Sequence, residues 1–334
     1  MITVLTGGTG GAKFVDGLRR VVRPEEITLV VNTGDDFDWW GLRVCPDLDS
    51  ITYVLANLLS KERGWGVQDD TFLCLETMKK MDQPAWFQVG DRDLAIHLLR
   101  TQSLKQGRTL TQATAEITAA LGIREKVLPM SDSPVETRVQ TAEGEISFQE
   151  YFVKRRFRDS VSSVRFAGAE RSQPAQGVVD SILSAAAVLL APSNPITSIG
   201  PILAVPGIRE ALRETAAPVV AISPIVGGAA VSGPAGALMA AHGLPASISG
   251  VARAYEVFLD VLIADLSDEQ AAGALRQSGL DLHCTNIIMK TDADRKSLAE
   301  TALRLASARA TGTGFARASA PKGRNIPAQD VSPG

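Results

Sequence analysis

Carboxylates are concentrated in one short stretch near the start of the chain. Asp35, Asp36, Asp38, Asp47 and Asp49 lie within fifteen residues. Carboxylates without a nearby histidine or cysteine suit hard cations, and Mg²⁺ is the usual cation beside phosphates. The sequence therefore predicts a divalent cation here, with the pair Asp35 and Asp49 favoured as ligands. Asp38 is expected to be a solvated loop residue.

A glycine-rich loop precedes this acidic stretch. TGGTGGAKF, residues 6–14, has an apolar run before it and a helical apolar stripe after it. It is not a P-loop, because Ala12 and Phe14 flank Lys13, and it lacks the third glycine of a dinucleotide fingerprint. Glycines still let backbone N–H groups approach a phosphate, and a helix N-terminus adds partial positive charge. We expect Gly8 to Gly11 to cradle a phosphate; a turn needing only glycine torsions is the alternative.

Other polar loops follow other predicted strands. NTGDD follows the apolar run 27–31, APSNPITSIGP follows 187–190 and SPIVGGAAVSGPAG follows 218–222. In an open α/β sheet, ligands bind beyond the carboxyl ends of the strands. These loops and the glycine loop are therefore expected to meet at one edge of the sheet. Their small polar residues indicate a nucleotide-sized site.

The segment VGDRDLAIHLLRT carries a second polar group. Asp91 can cap a helix there, and Asp93 and His97 then share one face of it. Arg92 falls in the first turn, where the helix dipole disfavours a cation, which suggests an anionic or aromatic partner. An ordinary exposed helix is the alternative interpretation.

Alternating strand and helix patterns must position these residues. A strand–helix–strand unit is expected from Ile2 to Val31, and the next helical stripe, Ile51 to Leu59, has Asp49 or Ser50 as its N-cap. Helices are expected from Thr71 to Leu121, and a hairpin turns at Glu143-Gly144. Further strands are expected at Ala187–Leu190, Pro218–Ile222, Leu259–Ala264 and Thr285–Met289.

These patterns predict an α/β fold. It is a doubly wound, mostly parallel Rossmann-like sheet with a mainly helical insertion, at about residues 65–160, and a small hairpin. Residues 1–310 are expected to form a single nucleotide-binding transferase domain. The last residues, 311–334, are polar and rich in Gly, Pro and Ala, and are expected to be a disordered tail.

Composition excludes several classes of function. The chain has 334 residues, 45% of them hydrophobic, which is enough for a sizeable core. A formal net charge of −3 gives no reason to expect nucleic acid or an anionic membrane as a partner. Cys45, Cys74 and Cys284 form no CxxC pair, so neither a disulfide framework nor a zinc site is indicated. Without a signal peptide or a membrane-spanning segment, we expect a cytoplasmic homodimer that acts on small molecules.

Eight motifs, in order, resemble the 2-phospho-L-lactate transferase (CofD-type) family of coenzyme F(420) biosynthesis. They are GGTGGAK, VVNTGDD, PDLDS, WGVQDDTF, GDRDLAIH, LPMSDSPVET, APSNPITSIGPIL and SPIVGGAAVSGPAG. The resemblance implies transfer of a 2-phospholactyl, phosphoenolpyruvyl or 3-phosphoglyceryl group from a guanosine diphosphate-type donor. The acceptor is the ribityl hydroxyl of Fo, a deazaflavin (7,8-didemethyl-8-hydroxy-5-deazariboflavin). GMP is released, Mg²⁺ is required, and no residue indicates which donor is used.

The residues and the resemblance together assign roles. Catalysis is assigned to Asp35, Asp49 and His97, with an aspartate of the acidic loop preferred to His97 as general base. Fo is expected at Asp49, Arg92 and Asp93. The expected metal ligands are Asp35, Asp36 and Asp49. The nucleotide and its phosphates are assigned to Gly8, Thr9, Gly10, Gly11, Lys13, Asn32, Ser193, Asn194, Ser223 and Gly233.

Two other classes of protein share parts of this pattern. A non-enzymatic, UDP-sugar-binding regulatory relative shares the glycine loop and the acidic loop, but GDRDLAIH with LPMSDSPVET resembles the transferase branch. Preference for guanine or for uracil in a binding assay separates the two. An NAD-dependent dehydrogenase predicts an acidic residue at the end of the second strand, where this chain has Asn32.

Overall fold

The continuously apolar runs of the sequence form the parallel strands of a sheet, as residues buried on both faces should. A computed structural model of the protein describes residues 1–312. Within them the strands are β1 (Ile2–Thr6), β2 (Ile27–Val31), β3 (Phe37–Trp39), β4 (Leu42–Val44), β5 (Lys126–Pro129), β6 (Glu136–Thr141), β7 (Gly144–Ser147), β8 (Val161–Ala167), β9 (Ala187–Leu190), β10 (Val219–Ile222), β11 (Ile225–Val226), β12 (Ala229–Ala230), β13 (Val261–Asp265) and β14 (Asp281–Thr285).

Helices alternate with these strands and fill the segments between them. The α-helices of residues 1–312 are α1 (Gly8–Leu18), α2 (Pro46–Leu55), α3 (Leu73–Lys80), α4 (Asp91–Lys105), α5 (Leu110–Ala120), α6 (Val178–Leu183), α7 (Gly200–Ala204), α8 (Ile208–Glu214), α9 (Ala235–Ala241), α10 (Ile248–Tyr255), α11 (Glu269–Gln277) and α12 (Asp292–Ala310). None of the helices in this part of the chain is long and apolar enough to cross a bilayer. The expected tail lies outside the described residues, apart from Thr311 and Gly312.

Seven strands form one parallel sheet, in the order β14-β13-β10-β9-β1-β2-β5. All the neighbouring strands in it run parallel. The chain moves outward from β1 through β2 to β5, then returns to the other side of β1 with β9. The strand order therefore reverses between β1 and β9, which confirms the predicted doubly wound, Rossmann-like fold.

Two apolar clusters cover the two faces of this sheet. Alternate residues of each strand point to opposite faces, so Val4 and Leu5 of β1 belong to different clusters. Val4 packs in a cluster with Phe14 of α1 and Leu298 of α12. Leu5 belongs to the cluster that includes residues of α6 to α11 and of the antiparallel sheet β7-β6-β8.

The segment between β2 and β9 departs from strict strand–helix alternation. The helices expected from Thr71 to Leu121 are confirmed by α3, α4 and α5, and the predicted hairpin by β6 and β7. A third strand, β8, pairs with β6 and was not expected. Strand β5, at one edge of the main sheet, also lies within residues 65–160, so this segment contributes to that sheet. The single-domain division of residues 1–310 stays a prediction.

The strand expected at Thr285–Met289 was placed too late in the sequence. The strand is β14, Asp281–Thr285, which among residues 1–312 pairs with β13 alone, at the edge of the sheet. An edge strand is half exposed and alternates, as buried Leu282 and exposed His283 show. The more apolar run that follows packs Ile287 into the core without forming a strand.

The expected N-cap of α2 was also wrong. The helix begins at Pro46, with Cys45 as its N-cap, rather than at Asp49 or Ser50. Proline is favoured at the first helical position because its fixed φ is helical and it lacks an N–H that would be unpaired there. Asp49 therefore lies within the first turns of α2 and points its carboxylate back toward Cys45, whose N–H donates to it at 3.3 Å.

Candidate active site at the strand-order reversal

The loops that follow β1 and β9 contact each other where the strand order reverses. Ser193 Oγ donates to Gly7 O at 2.7 Å and accepts from Gly7 N at 3.4 Å. A Cβ built on Gly10 would lie 2.3 Å from Pro192 O, and one on Gly11 would lie 2.8 Å from Ser193 Oγ. Gly10 and Gly11 are needed because the two loops approach each other closely. Gly8 is needed for a different reason, its left-handed φ of 66°.

Asn32 and Asp47 connect the glycine loop to the end of β2. Asn32 Nδ2 donates to Asp47 Oδ2 at 2.9 Å and to Thr197 O at 3.1 Å, while Asn32 Oδ1 accepts from Gly34 N at 2.8 Å. At the N-terminus of α1, Gly8 N donates to Asp47 Oδ1 at 2.8 Å. The helix N-terminus favours an anion, and the Asp47 carboxylate supplies one. Asp47 therefore fixes the loop that was expected to receive a phosphate.

Three buried carboxylates lie at this edge in an environment that disfavours their charge. Burial raises the pKa of Asp35 well above its ordinary value, and the charge of Asp47 raises it further. Burial raises the pKa of Asp36 to about 7, although Arg43 opposes the shift. Burial likewise raises the pKa of Asp47 to about 6, against the hydrogen bonds from Asn32 and Gly8. A cation beside these groups would remove the cost of their ionisation.

The hydrogen bonding of Asp35 and Asp36 leaves oxygens available to a ligand. Within residues 1–312, neither carboxylate oxygen of Asp36 accepts a hydrogen bond at normal geometry, nor does Asp35 Oδ1. Most buried polar atoms in proteins do have partners, so this absence needs an explanation. We name Asp35, Asp36 and Asp47 the open acidic cluster.

A second acidic group lies between α2 and α4 and is neutralised by the protein itself. Arg100 binds Asp49 with both terminal nitrogens, Nη1 to Oδ2 at 3.3 Å and Nη2 to Oδ1. Burial disfavours the charge of Arg100, but Asp49 outweighs it and raises the pKa of the guanidinium. Bidentate pairing of this kind fixes geometry as well as charge.

Asp93 and His97 extend this second group. The Tyr53 hydroxyl donates to Asp93 Oδ1, and His97 Nε2 lies 3.4 Å from the same oxygen. His97 Nδ1 lies 3.6 Å from Asp49 Oδ2. One ligand atom from each of Asp49, Asp93 and His97 lies within 4.8 Å of the others, so these three residues could hold a metal ion. We name Asp49, Asp93, His97, Arg100 and Tyr53 the paired acidic cluster.

The start of α4 differs from expectation. Its N-cap is Gly90, and the Asp91 carboxylate instead accepts hydrogen bonds from Leu73 N and Cys74 N at the start of α3, both at 3.0 Å. In return, the Asp70 carboxylate accepts from the backbone N–H groups of Arg92 at 2.8 Å and of Asp93 at 3.1 Å. Asp91, at the start of α4, therefore caps α3, and Asp70, just before α3, caps α4.

The remaining predicted site residues occupy different surroundings. The exposed Arg92 side chain donates to Gln68 O at 3.3 Å. Ser223 Oγ accepts from Ile225 N at 3.0 Å within its own turn after β10. Asn194 Oδ1 accepts from Ile196 N at 2.9 Å in the loop after β9. Thr9, Lys13 and Gly233 are exposed as well. The structure thus brings the glycine loop, Asn32 and Ser193 into contact, with Arg92 on a separate helix.

Sequence reasoning missed two members of the paired acidic cluster. Arg100 follows Asp93 and His97 at helical spacing on α4, and Tyr53 lies one turn after Asp49 on α2. Residues three and four apart share a helix face, so the signal was present in the sequence. It was overlooked because, in a sequence, an arginine is taken for a surface residue and a tyrosine for a core residue. Their roles become visible only when the positions of the partner carboxylates are known.

The strand order defines a doubly wound α/β protein, a class in which ligands generally bind where the strand order reverses. Residues 2–307 match the family described as 2-phospho-L-lactate transferase CofD. The 2-phospho-L-lactate transferase of Methanosarcina mazei is 39% identical over 297 residues, 89% of this chain and 97% of the relative. The phosphoenolpyruvate transferase of Streptomyces griseus is 43% identical over 312 residues, 91% of this chain and 98% of the relative. The chain therefore belongs to the CofD family, transferases of coenzyme F(420) biosynthesis.

A solved structure has the same fold. The crystal structure of a UPF0052-family protein from Bacillus halodurans superimposes with a TM-score of 0.62 at 18% sequence identity, covering 90% of this chain and 98% of that one. At this identity the likeness concerns the fold only.

Proposed function

We propose that this protein transfers a phospho-(three-carbon acid) group from a guanosine diphosphate-type donor to the terminal ribityl hydroxyl of Fo, releasing GMP. The acid is lactate, enolpyruvate or glycerate, and the donor carries it on its second phosphate. Family membership supports the reaction class, and the relatives named above are described as 2-phospho-L-lactate and phosphoenolpyruvate transferases. The observation that carries the proposal is the open acidic cluster beside the glycine loop.

The open acidic cluster is chemically suited to Mg²⁺. Its ligand atoms are carboxylate oxygens, which Mg²⁺ prefers, and those of Asp36 accept no hydrogen bond at normal geometry from residues 1–312. The paired acidic cluster fits less well, because Arg100 already binds both oxygens of Asp49. We therefore assign the cation to Asp35 and Asp36. Asp49 can join them only if it releases part of its bond to Arg100. When bound, Mg²⁺ would neutralise charge on the diphosphate.

The remaining groups bind and orient the two substrates. Phosphoryl-type transfer depends mainly on positioning and on electrostatic stabilisation. The glycine loop, Gly8 to Gly11, would face the diphosphate with the backbone N–H groups that Asp47 leaves available, since Gly8 N already donates to Asp47. The loops carrying Ser193 and Ser223 would enclose the nucleoside. Asp49, Arg92 and Asp93 would hold Fo from α2 and α4. The roles of Thr9, Lys13, Asn32, Asn194 and Gly233 in nucleotide binding stay predictions.

The reaction balances with a single proton transfer. The ribityl oxygen forms a bond to the phosphorus that bears the acid, the bond from this phosphorus to the bridging oxygen breaks, and GMP leaves with that oxygen. The hydroxyl proton passes to a carboxylate of the acidic loop, our choice of general base. His97 is the second choice, because its two ring nitrogens already face the carboxylates of Asp49 and Asp93. Action as a cytoplasmic homodimer stays a prediction.

A product assay tests the proposal. The purified protein is incubated with Fo, Mg²⁺ and each of the three guanylylated donors in turn, and GMP and the phosphodiester are followed by mass spectrometry. Product with one donor establishes the reaction and identifies the acid. Nucleotide binding without product from any donor would overturn the proposal and favour the regulatory, sugar-nucleotide-binding alternative.

A further inference from the structure

A row of stacked phenylalanine rings lies beside the candidate site, and the roles assigned so far do not include it. The ring centroids of Phe148 and Phe152 are 5.4 Å apart at an interplanar angle of 9°. Those of Phe152 and Phe157 are 5.7 Å apart at 19°. Phe148 is buried, whereas Phe152 and Phe157 are 37% and 45% exposed. We name these three residues the phenylalanine stack. Its exposed end offers an aromatic surface to another flat ring.

Unusual backbone places the exposed rings. Residues Glu150–Lys154 form a π-helix, a conformation found mostly as single turns and frequently at functional sites. Arg156 and Phe157 then adopt positive φ values of 55° and 45°, which are uncommon for residues other than glycine. Phe157 N donates to Tyr151 O at 2.8 Å across this turn. The turn brings Phe157 back onto Phe152, and strained backbone of this kind is concentrated at ligand-binding sites.

Two contacts tie the phenylalanine stack to the candidate site. Gln149 Nε2, immediately before the π-helix, donates to the buried Asp35 O at 3.3 Å. A Cβ built on Gly233 would lie 3.6 Å from Phe152 Cε2. The stack therefore lies between the acidic loop and the connection from β10 to α9.

Two arginines that flank Phe157 in the sequence can donate hydrogen bonds to a purine. Lys154 pairs with Glu150 and Arg155 with Glu143, whereas exposed Arg156 and Arg158 have no ion-pair partner within residues 1–312. A guanidinium can donate two hydrogen bonds to the O6 and N7 acceptors of guanine. Arginine planes also stack on bases.

We propose that Phe152 and Phe157 form a stacking platform for the guanine base of the donor nucleotide. The diphosphate then points toward Asp35 and the glycine loop. This inference rests on the proposed function, because the guanosine donor comes from it. We commit to guanine rather than to the deazaflavin because Phe152 approaches Gly233, which belongs to the loop assigned to the nucleotide. A two-ring purine also covers more of the platform than a pyrimidine does.

Calorimetric titration of the full chain with GMP, UMP and Fo tests this inference. The variants are Phe152→Leu and Phe157→Leu, which remove ring stacking, and Phe152→Trp, which keeps it. Leu183→Ala, an exposed apolar site at the end of α6, is the matched control. Loss of one base–aromatic contact corresponds to about 5-fold to 100-fold weaker binding. We expect both leucine variants to lose GMP affinity in this range, while Phe152→Trp and Leu183→Ala keep it and Fo affinity stays unchanged.

The outcomes separate failure of the stacking inference from failure of the proposed function. If the wild-type protein binds GMP and forms product while both leucine variants keep full GMP affinity, only the stacking inference is wrong. If the leucine variants lose Fo affinity instead, the platform belongs to the acceptor and the guanine assignment is overturned. If the wild-type protein binds UMP in preference to GMP, the guanosine donor of the proposed function fails, and the guanine platform fails with it.

Discussion

The two acidic clusters differ in what neutralises them. The paired acidic cluster contains its own cation, because Arg100 binds Asp49 and Tyr53 donates to Asp93. Within residues 1–312 no arginine or lysine forms an ion pair with the open acidic cluster, whose Asp47 accepts hydrogen bonds from the neutral groups of Asn32 and Gly8. Burial raises the pKa of all three of its carboxyls. Asp36 and Asp49 are close enough for the charge of Asp49 to raise the pKa of Asp36, yet only one of them is paired with a buried arginine. The same residue type in one short stretch therefore has two different roles.

This difference indicates which cluster is built for function. A buried charged group that another residue neutralises helps to specify the fold. A buried charge without a partner is tolerated where a bound ligand neutralises it. The paired acidic cluster would position Asp49 and hold α2 against α4. The open acidic cluster would receive the cation and the phosphates. Four predictions test this division.

The largest effect is expected from breaking the buried pair. Arg100→Met should lower the free energy of unfolding by about 3–5 kcal/mol, because it leaves the Asp49 carboxylate buried and uncompensated. Urea denaturation at pH 7.5 measures it. The double variant Arg100→Met with Asp49→Asn should recover part of the loss, because it removes the unpaired charge. A loss below about 1 kcal/mol in the single variant, typical of exposed pairs, would contradict our description of the paired acidic cluster.

Removing an open carboxylate should affect turnover instead of folding. Asp35→Asn is expected to lower kcat by about 10²-fold to 10³-fold, the usual cost of losing one preorganised electrostatic group. Its thermal stability at pH 8 should stay equal or rise, because a buried charge has been removed. Asp38→Asn is the matched control, since Asp38 is exposed in strand β3, rather than in a loop as expected, and lies outside both clusters. Product formation and calorimetry measure the two effects; a destabilised Asp35→Asn would mean that Asp35 is structural.

The third effect concerns the pH dependence of stability, to which the carboxyls of the open acidic cluster should contribute. The folded-state pKa of Asp36 is about 7 and that of Asp47 about 6, both above the unfolded value of 3.8. The folded state therefore binds more protons, and stability present below the unfolded pKa is lost as pH rises toward these values. The loss is about 1.4 kcal/mol per pH unit for each group. Asp36 contributes up to about pH 7 and Asp47 up to about pH 6.

Urea denaturation without divalent cation at pH 5, 6, 7 and 8 measures this slope. Asp36→Asn should flatten it between pH 6 and 7, and Mg²⁺ should restore stability at pH 8. Carboxyls with lowered pKa values, such as Asp91, are already ionised throughout this range and do not contribute. A slope that is unchanged in Asp36→Asn would show that Asp36 titrates normally.

The sequence predicted the fold better than it predicted the clusters. Continuous apolar runs identify buried parallel strands, so β1, β2, β9 and β10 were located closely, whereas the half-exposed edge strand β14 was misplaced. Helical spacing could have placed Arg100 beside His97. It could not show that Gln149 reaches Asp35 or that Asp70 caps α4, because these contacts depend on how distant segments pack. The same limit hid the difference between the two clusters.

The smallest effect is expected from removing the aspartates that cap α3 and α4. One of these two substitutions affects the helix that carries part of the paired acidic cluster, and the other does not. Loss of a capping aspartate costs about 1 kcal/mol. Asp70→Ala removes the acceptor for the first N–H groups of α4, the helix that carries Asp93 and His97, whereas Asp91→Ala uncaps α3, which carries no member of either cluster. Both should lower the free energy of unfolding by similar amounts. Only Asp70→Ala should also raise KM for Fo, because the first turn of α4 holds Arg92 and Asp93. Equal KM values in the two variants would show that the cap stabilises α4 without positioning the acceptor.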